Sequence, residues 1–136
     1  MIDIAKIIES LNKKNGNNYE FVVKGNPTTE EEYNNNVDFV SSIDINGFAI
    51  FSDTKFYTWS QIQTELPLVE FNNAMEELRT KRNALLEETD YIVIKAKETG
   101  ATIPTAWKTY RQALRDITNG LTTVEEVEAV IFPEKP

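Results

Sequence analysis

The dipeptide Asn46-Gly47 constrains the fold of this chain more than any other local feature. It lies between two runs in which apolar and polar residues alternate, the pattern of half-buried strands. A two-residue type I′ turn requires positive φ at both central residues, which asparagine and glycine tolerate. The sequence therefore predicts an antiparallel hairpin in which Ile45 pairs with Phe48. One face of this hairpin would be apolar, with Val37, Phe39, Ile43, Ile45, Phe48, Ile50 and Phe56.

A helix and a further strand are predicted before the hairpin. Gly16, a residue suited to a helix C-terminal cap, follows four apolar residues spaced along one helical face: Ile4, Ile7, Ile8 and Leu11. Residues 19–24 are aromatic and β-branched and lie between glycines, as expected for a strand. Thr29, with Glu32 three residues later, predicts the capped start of a short helical turn.

The second half of the chain is predicted to be helical. Thr58 and Gln61 have the spacing of a capping box, and Pro67 suits the first turn of a new helix. The apolar residues of that helix advance by threes, fours and a seven: Leu68, Phe71, Met75, Leu78 and Leu85. Exposure of Leu78 or Leu85 would indicate that this stripe serves a partner or a homo-oligomer.

A second long helix is predicted from about residue 104 to residue 118. Residues 91–95 fit either a strand or a continuation of the helix, and we favour the connector of a helical hairpin. A short capped helix at 122–128 and an extended C-terminal arm follow. The predicted class is α+β: region 1–66 holds a helix and a small antiparallel sheet, and region 67–136 holds the helical hairpin and the arm.

Two residue types that carry much of protein chemistry, cysteine and histidine, are absent from the sequence. Without them the chain can form no disulfide, no ordinary zinc site and no Cys-His or Ser-His-Asp nucleophile. The five glycines stand isolated, so no phosphate-binding glycine loop is present. A carboxylate-based enzyme remains open, but the spacing singles out no pair of acids. The sequence therefore predicts a non-enzymatic protein with no metal or cofactor.

The charge of the chain bears on its partners and its location. With 22 acidic and 14 basic residues the formal net charge is −8, and the basic residues are scattered, so nucleic acid is not expected as a partner. Residues 1–6 lack the basic and apolar regions of a signal peptide, and no apolar run approaches the ~20 residues of a membrane span. We expect a cytoplasmic protein without membrane contact.

Three blocks stand out in the second half: the run from Arg82 to Tyr91, the run from Ala106 to Ile117, and the ending Phe132-Pro133-Glu134-Lys135-Pro136. In this order they resemble the phage tail assembly chaperone family, over roughly the last 55 residues. The ending is similar to that family's closing aromatic-Pro-x-x-Pro. Tyr91 and Phe132 stand where the family pattern has tryptophan.

The resemblance implies a protein that binds a phage tail or tail-fibre protein and assists its folding or attachment in the host cytoplasm. One alternative is a structural component of the virion tail, fibre or baseplate, in which the hairpin adds to a neighbour's sheet edge. A distant alternative is a carboxylate-based tail hydrolase, which needs two acids with shifted pKa values in one cleft.

Candidate partner-binding residues lie on the second long helix and on the arm. They are Trp107, Tyr110, Arg111, Arg115, Asp116, Phe132 and Pro133. On the helix, Trp107, Arg111 and Arg115 follow one another at one-turn spacing, so Arg111 could stack on Trp107. An alternative of equal weight is that Arg115 and Asp116 bind the backbone or carboxylates of the helical hairpin itself.

Overall fold

The computed structural model describes residues 3–136. Met1 and Ile2 lie outside the described residues. The prediction that residues 1–6 are no signal peptide falls partly on these two residues. The elements are, in chain order, α1 Ile4–Asn15, β1 Phe21–Val23, α2 Glu30–Asn36, β2 Val37–Ile43, β3 Ala49–Phe51, α3 Trp59–Glu88, α4 Asp90–Thr99, α5 Thr105–Asp116 and α6 Val124–Glu128. The predicted α+β class is confirmed. The chain divides into two compact units, unit 1 Met1–Val69 and unit 2 Glu70–Pro136.

Helix α1 forms as its sequence predicts. Its four-residue apolar stripe is buried, the Asp3 side chain accepts a hydrogen bond from the backbone N–H of Lys6, and Gly16 ends the helix with φ 66°. In unit 1 this stripe packs with residues from the sheet and from α3. The fully enclosed members of that core are Ile4, Ile7, Ile8, Leu11, Tyr33, Val37, Phe39, Tyr57, Ile62 and Val69.

The sheet of unit 1 is antiparallel, with strand order β1-β2-β3. β1 pairs with β2 so that Phe21 faces Phe39 and Val23 faces Val37. The short helix α2 begins at the predicted Thr29 cap, whose hydroxyl accepts from the backbone N–H of Glu32 at 3.2 Å. α2 places the buried Tyr33 against this sheet, where its hydroxyl donates to the carbonyl of Tyr57 at 2.7 Å.

The Asn46-Gly47 hairpin is present, but its predicted turn type and register are wrong. The N–H of Gly47 donates to the Asp44 carbonyl at 3.1 Å and the N–H of Asp44 to the Phe48 carbonyl at 2.8 Å, which leaves three residues in the loop. Gly47 has φ 86°, whereas no described residue other than glycine, Asn46 included, has positive φ. The reason is Asp44, whose carboxylate accepts from the N–H groups of Asn46 and Phe48 and favours a type I turn with a glycine bulge.

The altered turn moves the register of β2 against β3. Ile43 pairs with Ala49, and Ser42 pairs with Ile50. The predicted register had placed Ile50 opposite Ile43. The ladder is irregular between Val40 and Ser42. Because one residue of slip exchanges the two faces of a strand, the predicted single apolar face does not form beyond that irregularity. Val37 and Phe39 are buried, while the hairpin end exposes Ile43, Ile45, Phe48, Ile50 and Phe51.

Helix α3 is longer than predicted at its start. It begins at Trp59 behind the Thr58 capping box, in which the N–H of Gln61 donates to the Thr58 hydroxyl at 3.3 Å and the N–H of Thr58 to the Gln61 side chain at 2.8 Å. Pro67 therefore lies inside this helix, and the predicted new start there is wrong. Proline removes the hydrogen bond to the carbonyl four residues earlier, at Gln63, and both residues are exposed, so water can satisfy that carbonyl.

In unit 2 the apolar stripe of α3 packs against the chain end. Met75 and Leu78 are buried with Val127 of α6 and Phe71 packs against them, so this part of the stripe serves the unit's own core, whereas Leu85 is half-buried and Leu68 is exposed. Residues 91–95, left open between strand and helix, belong to α4. None of the helices among the described residues is long and apolar enough to cross a membrane.

Candidate partner-binding site

The junction between α3 and α4 is a single buried residue, Thr89. Its hydroxyl lies 3.2 Å from the carbonyl oxygen of Leu85 and 3.0 Å from that of Leu86, the donor-to-carbonyl geometry that threonine uses inside helices. At this residue the backbone hydrogen bonds shorten to three-residue spacing, with the N–H of Thr89 donating to the Leu86 carbonyl at 3.1 Å, and α3 ends at Glu88 while α4 starts at Asp90.

Arg111 of α5 reaches this junction and ties it together. Nη1 donates to the Leu86 carbonyl at 2.8 Å and to the Thr89 hydroxyl at 2.5 Å, and Nη2 donates to Asp90 Oδ1 at 2.6 Å. The side chain is only 8% exposed, and its Nε has no hydrogen-bond partner among the described residues. A cation at the last carbonyls of α3 complements the negative end of that helix, so Arg111 stabilises the arrangement of three helices.

The aromatic residues of α5 lie beside this arginine. Tyr110 is buried, and Trp107 meets it edge-on, with ring centroids 5.9 Å apart and an interplanar angle of 87°. Leu114, one turn after Tyr110, is completely buried. The expected stacking of Arg111 on Trp107 is replaced by this aromatic pair, because the guanidinium is directed at the α3–α4 junction.

Arg115 and Asp116 end α5 on its exposed side. Asp116 accepts from the side chains of Gln112 at 3.0 Å and Asn119 at 3.3 Å, both close in sequence. Arg115 makes no hydrogen bond or ion pair with any residue that the structure describes. The internal role considered for Arg115 and Asp116 is performed by Arg111, one turn earlier.

The C-terminal arm folds back onto its own unit. Phe132 packs against the core formed by Met75, Leu78 and Val127. Farther along, Lys135 forms an ion pair with Glu88 and donates a hydrogen bond to its carboxylate. This hydrogen bond raises the pKa of Lys135. Pro133, between these two anchors, is half-buried. The arm is therefore held along α3.

Among the concavities that border these elements, one involves the arm and another involves α4. A cleft of 260 Å³ separates α3 from the chain end and is lined by Ala74, Glu77, Leu78, Lys81, Val127, Glu128, Val130 and Phe132. A second hollow of 310 Å³ lies where α4 leads into α5, and its wall includes Tyr91, Ile92, Ala96 and Pro104. Tyr91 and the nearby Ile94 are exposed. Sequence reasoning missed both, although the run Tyr91-Ile92-Val93-Ile94 holds more apolar residues than one helical face can bury.

The carboxylates with shifted pKa values are stabilised in the charged form. Hydrogen bonds from Thr28 lower the pKa of Glu32, and those from Thr122 lower the pKa of Glu126. A general acid in a hydrolase needs a raised pKa. Among residues 3–136, no group of three or more acidic side chains gathers as a metal site would require.

Together, the fold and these contacts describe a small α+β protein whose second unit is a helical module closed by its own chain end. Residues 75–136 match the family model described as phage tail assembly chaperone protein. This segment runs from Met75 in α3 to the end of the arm, and the resemblance seen in the sequence is confirmed. The match supports a role in phage tail assembly and a non-enzymatic function. No curated protein and no solved structure matches the chain.

Proposed function

We propose that this protein binds a phage tail or tail-fibre protein and assists its folding or attachment in the host cell, without catalysing a reaction. The observation that carries the proposal is the family match, which begins at Met75 and includes α4, α5, α6 and the arm. An assembly factor needs a stable scaffold and a surface that remains available to a partner. We divide these two tasks among the predicted residues according to their contacts in unit 2, and Phe132, which packs against the core, has a part in both.

The scaffold task falls to Tyr110 and Arg111, which are buried and hold α5 in place. We assign the binding task to a set that we call the α5–arm residues: Trp107, Arg115, Asp116, Phe132 and Pro133. Tryptophan and arginine are the residue types that most often dominate binding energy at interfaces. The guanidinium of Arg115 has no partner among the described residues, so a partner carboxylate would gain its hydrogen bonds without breaking any within this protein.

The test is a binding titration of the full chain with a tail-fibre protein of the same phage. The variant is Arg115→Glu, and the matched control is Arg79→Glu, an equal charge reversal at an exposed position of α3. We expect Arg115→Glu to weaken binding about tenfold or more, equivalent to about 1.4 kcal/mol, and Arg79→Glu to leave it unchanged. Equal affinities for both variants would remove Arg115 from the binding surface, and no binding by the parent chain would refute the proposed partner class.

A structural role in the tail is the second candidate. The observation that favours it is β3, whose outer side pairs with no strand among the described residues and could extend the sheet of a neighbouring tail protein. The two candidates differ in whether the protein stays in the finished particle. That difference is directly measurable in purified virions.

A further inference from the structure

Among the described residues of unit 1, most of the exposed large apolar side chains lie at the end of the β2–β3 hairpin. We define the hairpin patch as Ile43, Ile45, Phe48, Ile50 and Phe51, of which Ile45 is fully exposed and Phe48 is 70% exposed. Their combined exposure equals about three whole side chains, on the order of 600 Å² if each large side chain presents about 200 Å². This is the upper end of what monomeric proteins expose in one patch, about 300–600 Å².

The edge of β3 leaves polar backbone groups open beside this patch. On the inner side, the carbonyl of Phe48 accepts from Asp44, the carbonyl of Ile50 accepts from the Ser41 hydroxyl, and the N–H of Ser52 donates to Phe39. Because backbone groups alternate between the two sides of a strand, the N–H and C=O of Ala49 and Phe51 point to the outer side. No strand among residues 3–136 pairs there.

The charges and prolines that often protect an edge strand from pairing are missing from β3, which is only three residues long. Proteins discourage edge pairing with lysine, proline or inward charges, and β3 consists of Ala49, Ile50 and Phe51. The only charge between residues 39 and 52 is Asp44, and its carboxylate is occupied by the turn. The edge of β3 is uncharged and extended, and four of its backbone groups are unpaired. Such an edge favours a partner strand that is also extended and uncharged.

We propose that the occupant is a second copy of this chain, joined through antiparallel pairing of the two β3 strands about a two-fold axis at Ile50. In this register Ala49 of each copy exchanges two hydrogen bonds with Phe51 of the other, so all four open groups of each strand are satisfied. Each chain carries a net charge of −8, and the uncharged hairpin is a place where two copies can meet without like charges opposing each other.

The area supports a second copy as the occupant. A standard interface buries about 800 Å² on each partner, and the patch side chains alone provide on the order of 600 Å². The backbone of the patch residues adds to this area. So does Val40, which is half-buried and pairs with Phe51 in the sheet. In the joined sheet the patch side chains gain cross-strand neighbours on both faces, because alternate residues point above and below the sheet.

The first test is sedimentation of the full chain over a concentration range reaching on the order of 100 μM. We expect a monomer–dimer equilibrium that Phe48→Asp weakens at least tenfold. Ile131→Asp places the same charge at an apolar residue that is 89% exposed but lies outside the patch, and it should leave the equilibrium unchanged. Both sites are exposed, so circular dichroism should show that both variants remain folded.

The second test reads the register, using the absence of cysteine from the chain. In the proposed pairing, Ile50 faces its own copy in a non-hydrogen-bonded pair with Cα atoms about 4.5 Å apart, inside the disulfide range of about 4.4–6.8 Å. Ile50→Cys should therefore form a covalent dimer under mild oxidation, and Ile131→Cys should not. A chain that stays monomeric at every concentration, or equal cross-linking of the two cysteine variants, would overturn the proposal.

Discussion

At the scale of single residues, Arg111 shows how one side chain can fix a helical unit. It lies on α5 but bonds to residues 21–25 positions earlier, at the point where α3 changes into α4. The sequence identified Arg111 as part of an arginine row, but nothing in its spacing distinguishes it from Arg115. The distinction depends on which residue faces Thr89, and that is determined only when the helices pack.

Loss of Arg111 should destabilise unit 2. Arg111→Ala removes the donor to the Thr89 hydroxyl, one of the donors to the Leu86 carbonyl and the ion pair with Asp90, and we expect the free energy of unfolding to fall by about 2–4 kcal/mol. Arg115→Ala, one turn away and exposed, should change it by about 0.5 kcal/mol or less. Urea unfolding followed by Trp107 fluorescence, in a Trp59→Phe background, measures unit 2 alone. Similar losses for both variants would contradict the assignment.

Glu65 makes unit 1 sensitive to acid. Burial raises the pKa of Glu65, but hydrogen bonds from Lys14 at 2.9 Å and Ser10 at 2.7 Å outweigh this effect and leave the pKa below its usual value. A carboxyl whose pKa is lower in the folded state stabilises the protein above its unfolded pKa, and this contribution is lost as the pH falls through the folded value.

We therefore expect Glu65→Gln to reduce stability at neutral pH by about 1–3 kcal/mol, and to reduce it less at a pH below the folded pKa. Glu9→Gln, an exposed change on α1, is the control. The measurement is urea unfolding at several pH values, followed by Trp59 fluorescence in a Trp107→Phe background. A difference between Glu65→Gln and the parent chain that does not change with pH would show that the Glu65 charge does not stabilise the fold.

At the scale of elements, α1 and the hairpin show what local sequence can predict. The α1 stripe, its Gly16 cap and the Thr29 and Thr58 caps were predictable because each depends on residues within four or five positions. The hairpin was predicted, but its register was not. The Asp44 carboxylate accepts hydrogen bonds from backbone N–H groups of the turn and thereby changes the turn type. Pro67 was misread because a proline on the exposed side of a long helix can be accommodated inside it.

The two loop residues of the hairpin should respond differently to alanine. Gly47 has φ 86°, where a side chain costs about 1–2 kcal/mol, whereas Asn46 has no positive φ and should tolerate alanine at little cost. Hydrogen exchange of the β2 and β3 amides compares Gly47→Ala with Asn46→Ala. Equal loss of protection in the two variants would favour the two-residue type I′ turn that this structure excludes.

Phe132 is the aromatic one of the two anchors that hold the C-terminal arm. Phe132 is half-buried against Met75 and Leu78, so Phe132→Ala should release the arm and cost about 2 kcal/mol, less than a fully buried phenylalanine. Ile131→Ala, the adjacent exposed residue, is the matched control. Limited proteolysis should cut the arm of Phe132→Ala faster than that of the control. Equal cutting rates would place the anchor elsewhere, for example at the Lys135–Glu88 pair.

At the scale of the whole molecule, the family match covers only part of the fold. The match begins at Met75, so unit 1, with its sheet and hairpin patch, lies before it. The α+β class and the family resemblance could be read from the sequence because they rest on periodicity and on three ordered blocks. The assignment of roles to Trp107, Tyr110 and Arg111 required the packing of distant helices, which local periodicity does not encode.

We propose that this protein assists tail assembly and does not remain in the finished tail. Quantitative mass spectrometry of purified phage particles and of the infected-cell lysate tests this most directly. We expect abundant protein in the lysate and none at stoichiometric level in the particles. A fixed number of copies in every purified particle would contradict the claim and would make the protein a structural component of the tail.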